Sequence, residues 1–100
     1  MPYDKERRRD QLSITASILE QIRGKNLRRT QIMYRANLSF TQLGEYLSFS
    51  LNHGLISQSN IEGKEFYVIT DKGLEYLQIY RELKKMINSK GITRDNQVDP

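Results

Sequence analysis

Cationic side chains, rather than nucleophiles or metal ligands, are the groups in this sequence whose type and spacing could do chemistry. Arg28 and Arg29 are adjacent, and Arg35 follows within the same short segment. Guanidinium groups donate paired hydrogen bonds to phosphate oxygens, so this arrangement predicts contacts to phosphates. Lys64 follows Gly63 in a predicted turn, from which its ammonium group could reach a phosphate backbone. The alternative for each cation is an ordinary solvated surface position.

The residue types that enzymes and metal sites require are scarce in this chain. The sequence contains no cysteine and a single histidine, His53. Without thiolates or a second imidazole, a zinc site lacks its common ligands. No nucleophile–base pair or glycine-rich phosphate loop is recognisable in the sequence either. We therefore expect no catalytic residue, no metal, no cofactor and no small-molecule substrate, and we do not expect an enzyme.

The distribution of charge favours a polyanionic partner more clearly than the net charge does. The 100 residues carry a formal net charge of +4. Residues 1–37 contain nine Lys or Arg and four Asp or Glu (9 − 4 = +5), whereas residues 38–63 contain two acidic residues and no Lys or Arg. The first third of the chain is therefore the basic part, where a polyanion would bind.

Neither a membrane span nor a secretory signal is recognisable in the sequence. The composition is 37% hydrophobic and 28% charged, and no window approaches the roughly 18 apolar residues of a membrane span. Residues 1–10 contain charges with no apolar stretch behind them, unlike a signal peptide. We expect no membrane partner and a cytoplasmic location.

Capping signals predict a helix-turn-helix within residues 29–55. Thr30 is predicted to cap its short first helix. Ser39 and Gln42 have the types and spacing of a capping box, which begins the second helix. Gly54 can adopt the left-handed conformation that ends a helix without steric strain, so it is predicted to end this one.

The other segments complete a recognisable order of elements. Residues 6–24 repeat isoleucine at helical spacing, and residues 55–59 and 64–69 are predicted strands around a turn at 60–63. The fold class is therefore mainly α with a β-hairpin (α+β), a winged helix-turn-helix with a long C-terminal dimerisation helix. We expect four regions: a flexible N-terminus at 1–5, the winged domain at 6–69, the dimerisation helix at 70–89 and a disordered tail at 90–100.

The second helix of the motif is the predicted recognition helix. Its leucines, Leu43, Leu47 and Leu51, share one face and are expected to be buried. Five residues are predicted to face outward: Thr41, Gln42, Glu45, Phe49 and Asn52. Thr, Gln and Glu can contact thymine, adenine and cytosine, but this helix has no arginine to contact guanine, so we expect limited base readout. Gly44 lies within the helix, which predicts the close approach of a neighbouring helix.

The last predicted helix has more apolar residues than one small domain needs to cover. They form two rows, one through Tyr76, Ile79 and Leu83 and the other through Leu77 and Tyr80. One row can pack on the domain and the other on a second copy of the chain, and the sequence leaves open which does which. The candidate dimer-interface residues are Tyr76, Ile79, Tyr80, Leu83, Met86 and Ile87.

Several short motifs resemble those of small archaeal winged-helix proteins, including the archaeal "10a" DNA-binding proteins. They are Thr30-Gln31-Ile32-Met33-Tyr34, Leu38-Ser39, Tyr46-Leu47, Gly54-Leu55-Ile56 and Tyr67-Val68-Ile69-Thr70-Asp71-Lys72-Gly73. The resemblance covers residues 8–87 and implies a homodimer, joined by an antiparallel coiled coil of the last helices, that binds double-stranded DNA. Ser50 departs from it, because similar proteins tend to have a leucine there.

These observations predict a homodimeric, nucleoid-associated protein that binds duplex DNA as a transcriptional regulator or an architectural protein. Phosphate contacts would supply most of the affinity. The candidate DNA-binding residues are Arg28, Arg29, Thr30, Gln31, Arg35, Ser39, Thr41, Gln42, Glu45 and Lys64. The alternative is a protein–protein interaction scaffold that uses the winged helix without binding DNA.

Overall fold

The computed structural model describes the backbone of residues 2–98 and the side chains of residues 11–88. Four helices and one hairpin follow in the order α1 (Pro2–Ile22), α2 (Arg29–Ala36), α3 (Phe40–Asn52), β1 (Ile56–Ile61), β2 (Lys64–Ile69) and α4 (Asp71–Val98). This order confirms the predicted fold class, which is mainly α with a single antiparallel hairpin.

The first and last helices extend beyond their predicted bounds. Helix α1 begins at Pro2 and α4 ends at Val98. The two helices thus include residues 2–5 and 90–98, which belong to the flexible segment predicted at 1–5 and the disordered tail predicted at 90–100. The division into four regions stays a prediction, and the rest of both segments lies outside the described residues. Hydrophobic periodicity alone does not reveal such extensions, because these residues are mostly polar and show no apolar face at helical spacing.

Helix α1 lies at the centre of the fold. Its side chains Ile18, Leu19 and Ile22 are fully buried, and the helix contacts α2, α3, α4 and β2. The rest of the chain contributes the remaining large core residues: Leu27, Ile32, Leu43, Leu47, Leu55, Ile56, Tyr67 and Leu77. The isoleucines that recur at helical spacing in α1 are thus explained by neighbours within the same chain.

The turn between α2 and α3 confirms the predicted cap of α3 and corrects that of α2. Ser39 Oγ accepts the N–H of Gln42 at 3.1 Å, and Gln42 Oε1 accepts the N–H of Ser39 at 3.1 Å. Helix α2, however, begins one residue before Thr30, and Arg28 occupies the position before it, where its N–H donates to Gln31 Oε1 at 2.9 Å. The Gln31 side chain supplies this cap, whereas the prediction for α2 considered only the Thr30 hydroxyl.

Helix α3 ends as the glycine signal predicts. Gly54 has φ +71°, and its N–H donates to the carbonyl of Leu51 at 3.0 Å. The N–H of Leu55 donates to the carbonyl of Ser50 at 2.8 Å. These two bonds form a Schellman motif, which directs the chain from α3 into β1.

The hairpin is longer and tighter than predicted. Strands β1 and β2 pair from Ile56 with Ile69 to Ile61 with Lys64, so only Glu62 and Gly63 form the turn. Both have positive φ, +53° and +79°, as a two-residue type I′ turn requires. A backbone bridge between Leu27 and Tyr67, with N–H···O distances of 3.3 and 2.8 Å, attaches β2 to the segment before α2. The sequence analysis missed this bridge.

Candidate nucleic-acid interface

Helix α3 presents a polar face to solvent and buries its apolar face. Thr41, Gln42, Glu45 and Asn52 are exposed, which confirms their predicted orientation. Leu43 and Leu47 are fully buried, as expected. The other two positions differ from the prediction, and each is described below.

Phe49 and Leu51 are both partly buried and pack against the core. Phe49 was predicted to face outward, but its ring packs against the ring of His53 at a centroid distance of 4.4 Å. Leu51 was predicted to be buried, and it is only partly so. An ideal helical wheel does not include the hairpin that packs beside the end of α3, and that neighbour shifts the boundary of the buried face.

Arg29 brings a guanidinium group from α2 to the surface of α3. Its Cζ atom lies 4.9 Å from the centroid of the Phe40 ring, over the ring face. Its Nη2 atom lies 3.1 Å from the position that a Cβ atom on Gly44 would occupy. Its Nε atom is buried and has no hydrogen-bond partner among the described residues. Helix α3, the predicted recognition helix, has no Lys or Arg in its own sequence, and α2 supplies a guanidinium group beside it.

The role of Gly44 therefore differs in detail from the expected close approach of two helices. The space beside it holds the flexible end of the Arg29 side chain, rather than the backbone of a neighbouring helix. Phe40, the first residue of α3, is 68% exposed and was not among the candidate site residues. A large exposed ring directly after a helix cap, four residues before a glycine, was the signal in the sequence that could have identified this arrangement.

The other cations of the helix-turn-helix are accessible. Arg28 and Arg35 are exposed, at the two ends of α2. At the tip of the hairpin, Lys64 is exposed next to Glu62 and Gly63. The structure thus places cations around both α2 and the hairpin tip.

Several candidate polar residues take part in helix caps. Ser39 and Gln42 bond to each other's backbone, and Gln31 accepts the N–H of Arg28. All three are exposed, as is Thr30. Their capping bonds occupy the Ser39 hydroxyl and the two amide oxygens, whereas the Gln31 and Gln42 amide nitrogens remain as potential donors to a partner.

An open groove of about 800 Å³ separates α3 from the hairpin. Arg29, Thr41 and Glu45 line one side, and Gln58 and Tyr67 line the other. The Gln58 amide donates to the Tyr67 hydroxyl at 3.3 Å, which fixes the floor of the groove. Arg29 therefore lies in the groove between helix α3 and the hairpin.

The exposed face of α4 resolves which apolar row packs on the domain. Leu77 is buried at 1% exposure, whereas Ile79 and Leu83 are 57% and 45% exposed. The row that contains Leu77 therefore faces α1, and the other row faces outward. Leu12 of α1, also exposed, borders a small apolar groove of about 130 Å³ together with Tyr76, Ile79, Tyr80 and Leu83. Met86 and Ile87 continue the exposed surface, at 63% and 61%.

The described residues include neither a membrane-spanning helix nor a metal-binding cluster. None of the helices in that part of the chain is both long and apolar enough to span a bilayer. Over the same residues, no group of three or more His, Asp or Glu side chains is arranged to hold a metal ion.

Two relatives from Methanocaldococcus jannaschii are similar in sequence. Uncharacterized protein MJ0290 is 30% identical over 80 residues, which are 80% of this chain and 36% of that protein. Uncharacterized protein MJ0287 is 30% identical over 83 residues, which are 83% of this chain and 81% of that protein. This chain therefore spans little more than a third of the length of the first relative.

Solved structures with the same fold include Sso10a-2, a DNA-binding protein from Sulfolobus solfataricus, with a TM-score of 0.72 and 18% identity over 88% of this chain and 92% of that one. A MepR mutant from S. aureus, bound to an oligodeoxyribonucleotide, has a TM-score of 0.70 and 10% identity over 88% of this chain and 69% of that one. At these identities the likeness establishes the fold alone. The family described as winged helix-turn-helix matches residues 8–88, and because this match spans most of the sequence, the chain belongs to the winged helix-turn-helix family.

Proposed function

We propose that this protein binds double-stranded DNA, without catalysis, as a homodimeric regulator or nucleoid-associated architectural protein of the cytoplasm. The observation that carries the proposal is the Arg29 guanidinium, which lies on the recognition helix in the groove beside the hairpin. Sso10a-2 is a DNA-binding protein and the MepR mutant was solved bound to an oligodeoxyribonucleotide, and both support the same class of ligand.

Phosphate contacts provide most of the affinity in this proposal. Helix α3 enters the major groove, while Arg28, Arg29 and Arg35 contact the backbone on either side of it. Lys64 at the hairpin tip approaches the backbone next to the adjacent minor groove. Thr41, Gln42 and Glu45 are exposed side chains on α3 that could contact base edges, and none of them is an arginine, so base discrimination is limited.

The second copy of the chain covers the exposed row of α4. If four large side chains from each helix meet in an antiparallel coiled coil, eight of them at about 1.5 kcal/mol each contribute about 12 kcal/mol of gross burial. Association costs about 4–15 kcal/mol, so further apolar surface is needed for a stable dimer. Leu12, exposed next to Tyr76 and Ile79, is placed to supply part of it.

The salt dependence of binding to a generic duplex tests the DNA-binding proposal. If the dimer makes about six phosphate contacts, the logarithm of the binding constant should fall against the logarithm of salt concentration with a slope near −5. Fluorescence anisotropy with a labelled duplex measures this slope, and sedimentation measures the mass. A flat salt profile, or a monomer that ignores duplex in dilute buffer, would contradict the proposal.

Exposed aromatic rings favour one second candidate, a protein-binding scaffold. Tyr34 and Phe40 are 80% and 68% exposed on α2 and α3, and aromatic side chains often anchor protein interfaces. A gel shift with duplex, competed by a polyanion, distinguishes the two functions. A scaffold would give no shift at low salt and would instead bind one protein stoichiometrically in the absence of DNA.

A further inference from the structure

We propose that Phe40 and Gly44 are positioning residues, which hold the Arg29 guanidinium in a fixed seat on the recognition helix so that it can bind a DNA phosphate. This inference rests on the proposed DNA binding and assigns a role to two residues that would not themselves carry the contact. The seat is defined by the ring of Phe40 on one side and the backbone of α3 at Gly44 on the other.

Two contacts from α3 define where the guanidinium lies. Its carbon is 4.9 Å from the Phe40 ring centroid, which is within the range of a cation–π interaction. Its Nη2 atom lies 3.1 Å from the position that a Cβ atom at Gly44 would occupy, which is closer than an ordinary van der Waals contact. Because the residue at position 44 has no side chain, the guanidinium can lie close to the helix backbone instead of extending into solvent.

The seated guanidinium has no anion of its own. Among residues 11–88, no carboxylate forms an ion pair with Arg29, and its buried Nε has no hydrogen-bond partner. By contrast, Arg23 and Arg81 both pair with Glu20. A partly buried cation has lost some of its hydration, and a phosphate oxygen that accepts hydrogen bonds from the Nη groups would offset part of that loss. With Nε buried, the Nη groups are left for that contact.

Folding stability alone explains neither Phe40 nor Gly44. Glycine within a helix is less favourable than almost any other residue. A phenylalanine ring that is 68% exposed buries little apolar surface. Both Phe40 and Gly44 lie against the Arg29 guanidinium, and this shared neighbour explains why each residue occupies its position.

Fixing the Arg29 side chain before DNA binds should strengthen the binding of DNA. A free arginine loses rotamer freedom when it is fixed against a ligand, and a preorganised one has already lost it on folding. Arg28 and Arg35 are exposed. In the described part of the chain, neither guanidinium lies against an aromatic ring or a glycine. Arg35 therefore serves as a matched control for an arginine without a seat.

The test measures duplex affinity and salt slope for single and double variants of the dimeric protein. Arg29→Ala should lower the magnitude of the slope by about 1.8 for a dimer, as expected for one lost phosphate contact in each protomer. Phe40→Leu keeps an apolar side chain but removes the ring, and it should weaken binding about threefold. Phe40→Tyr keeps the ring and should restore affinity to that of the original protein.

The double variants separate positioning from direct contact. Phe40→Leu should have no further effect in the Arg29→Ala background and its full effect in the Arg35→Ala background. Equal losses in both backgrounds would mean that Phe40 acts independently of Arg29, and this would overturn the inference. Unchanged affinity and slope for Arg29→Ala would overturn it as well.

Gly44→Ala provides a readout that a purely structural role would not give. Alanine has the higher helix propensity, so the melting temperature should stay the same or rise. The added methyl should shift the guanidinium by a few tenths of an ångström and weaken binding by up to about threefold. A variant that binds duplex as tightly as the original protein would contradict the inference. If the original protein itself fails to bind duplex at low salt, the proposed function fails instead, and the two failures are distinguishable.

Discussion

Gly73, in the first turn of α4, packs directly beneath the backbone carbonyl of Leu55. A Cβ atom at this position would overlap the carbonyl oxygen of Leu55 and would also meet the side chain of Ile69. Thr70 brings these segments together, because its backbone N–H donates to the Leu55 carbonyl at 3.1 Å. Its hydroxyl accepts the N–H of Gly73 at 3.0 Å. The long helix is thereby joined to the start of the hairpin through backbone atoms, which cannot move aside easily.

We expect Gly73→Ala to be strongly destabilising. The overlap is with backbone, so relief requires a shift of α4, and overpacking of this kind costs about 1–3 kcal/mol. For a domain of this size, each 1 kcal/mol lowers the melting temperature by roughly 4–8 °C. Thermal unfolding followed by circular dichroism measures the change. Lys72→Ala, at the exposed neighbouring position, is the control and should change the melting temperature little.

Ser50→Ala should stabilise the protein. Ser50 is fully buried, and its hydroxyl has no hydrogen-bond partner among the described residues. An unsatisfied buried polar group costs about 1–3 kcal/mol, so its removal should raise the free energy of unfolding by about 1 kcal/mol. Urea unfolding measures the gain, and the exposed Ser48→Ala should show none. A loss of stability in Ser50→Ala would mean that the hydroxyl is hydrogen-bonded in solution.

Ile79→Glu should separate the proposed dimer without unfolding the domain. Ile79 is 57% exposed, so its replacement leaves the core intact. A dimer loses two isoleucines and gains two charges, which should cost about 3 kcal/mol and weaken association about a hundredfold. Sedimentation over a range of protein concentrations gives the dissociation constant. Gln78→Glu adds the same charge at the neighbouring exposed position, and it should leave the dimer unchanged unless another face mediates association.

Glu62→Asn should improve both stability and DNA affinity. Glu62 has φ +53° in the hairpin turn, a conformation that costs an ordinary residue about 1 kcal/mol and that asparagine adopts more readily. The change also removes a negative charge near Lys64. Glu62→Gln removes the charge but keeps the backbone strain, so it should improve duplex affinity alone. Thermal melts and anisotropy titrations of the two variants separate the two effects, and equal melting temperatures for both would argue against strain.

Ionisation of the Tyr76 hydroxyl should lower the free energy of unfolding at alkaline pH. Burial raises the pKa of Tyr76 above its usual 10.0, opposed by a hydrogen bond with Thr15 and assisted by Tyr80. The folded-state pKa of Tyr76 therefore lies above its unfolded-state value. The stability that Tyr76 contributes is fully present below pH 10 and is lost as the pH rises through the folded-state pKa. Tyr76→Phe should be less stable at neutral pH, because it loses the hydrogen bond to the Leu12 carbonyl. Its stability should nevertheless fall less steeply above pH 10 in pH-dependent urea unfolding.

Local signals in the sequence were sufficient for the elements of the fold. The capping box of Ser39 and Gln42 and the left-handed Gly54 join atoms only a few residues apart, so composition and spacing determine them. The burial of Leu43 and Leu47 followed from helical periodicity for the same reason, whereas the partial burial of Phe49 and Leu51 did not. Where a local signal was ambiguous, as with Thr30 and the Gln31 side chain at the start of α2, the cap was misplaced by two residues, from Arg28 to Thr30.

Tertiary structure alone decided how those elements meet. The bridge between Leu27 and Tyr67, the close packing of Gly73 beneath Leu55 and the outward row of α4 all join segments far apart in the chain. The sequence by itself determined that the recognition helix carries no cation. The packing of α2 against α3 then placed the Arg29 guanidinium beside Phe40, because a long side chain can cross from one helix to its neighbour where that neighbour has a glycine.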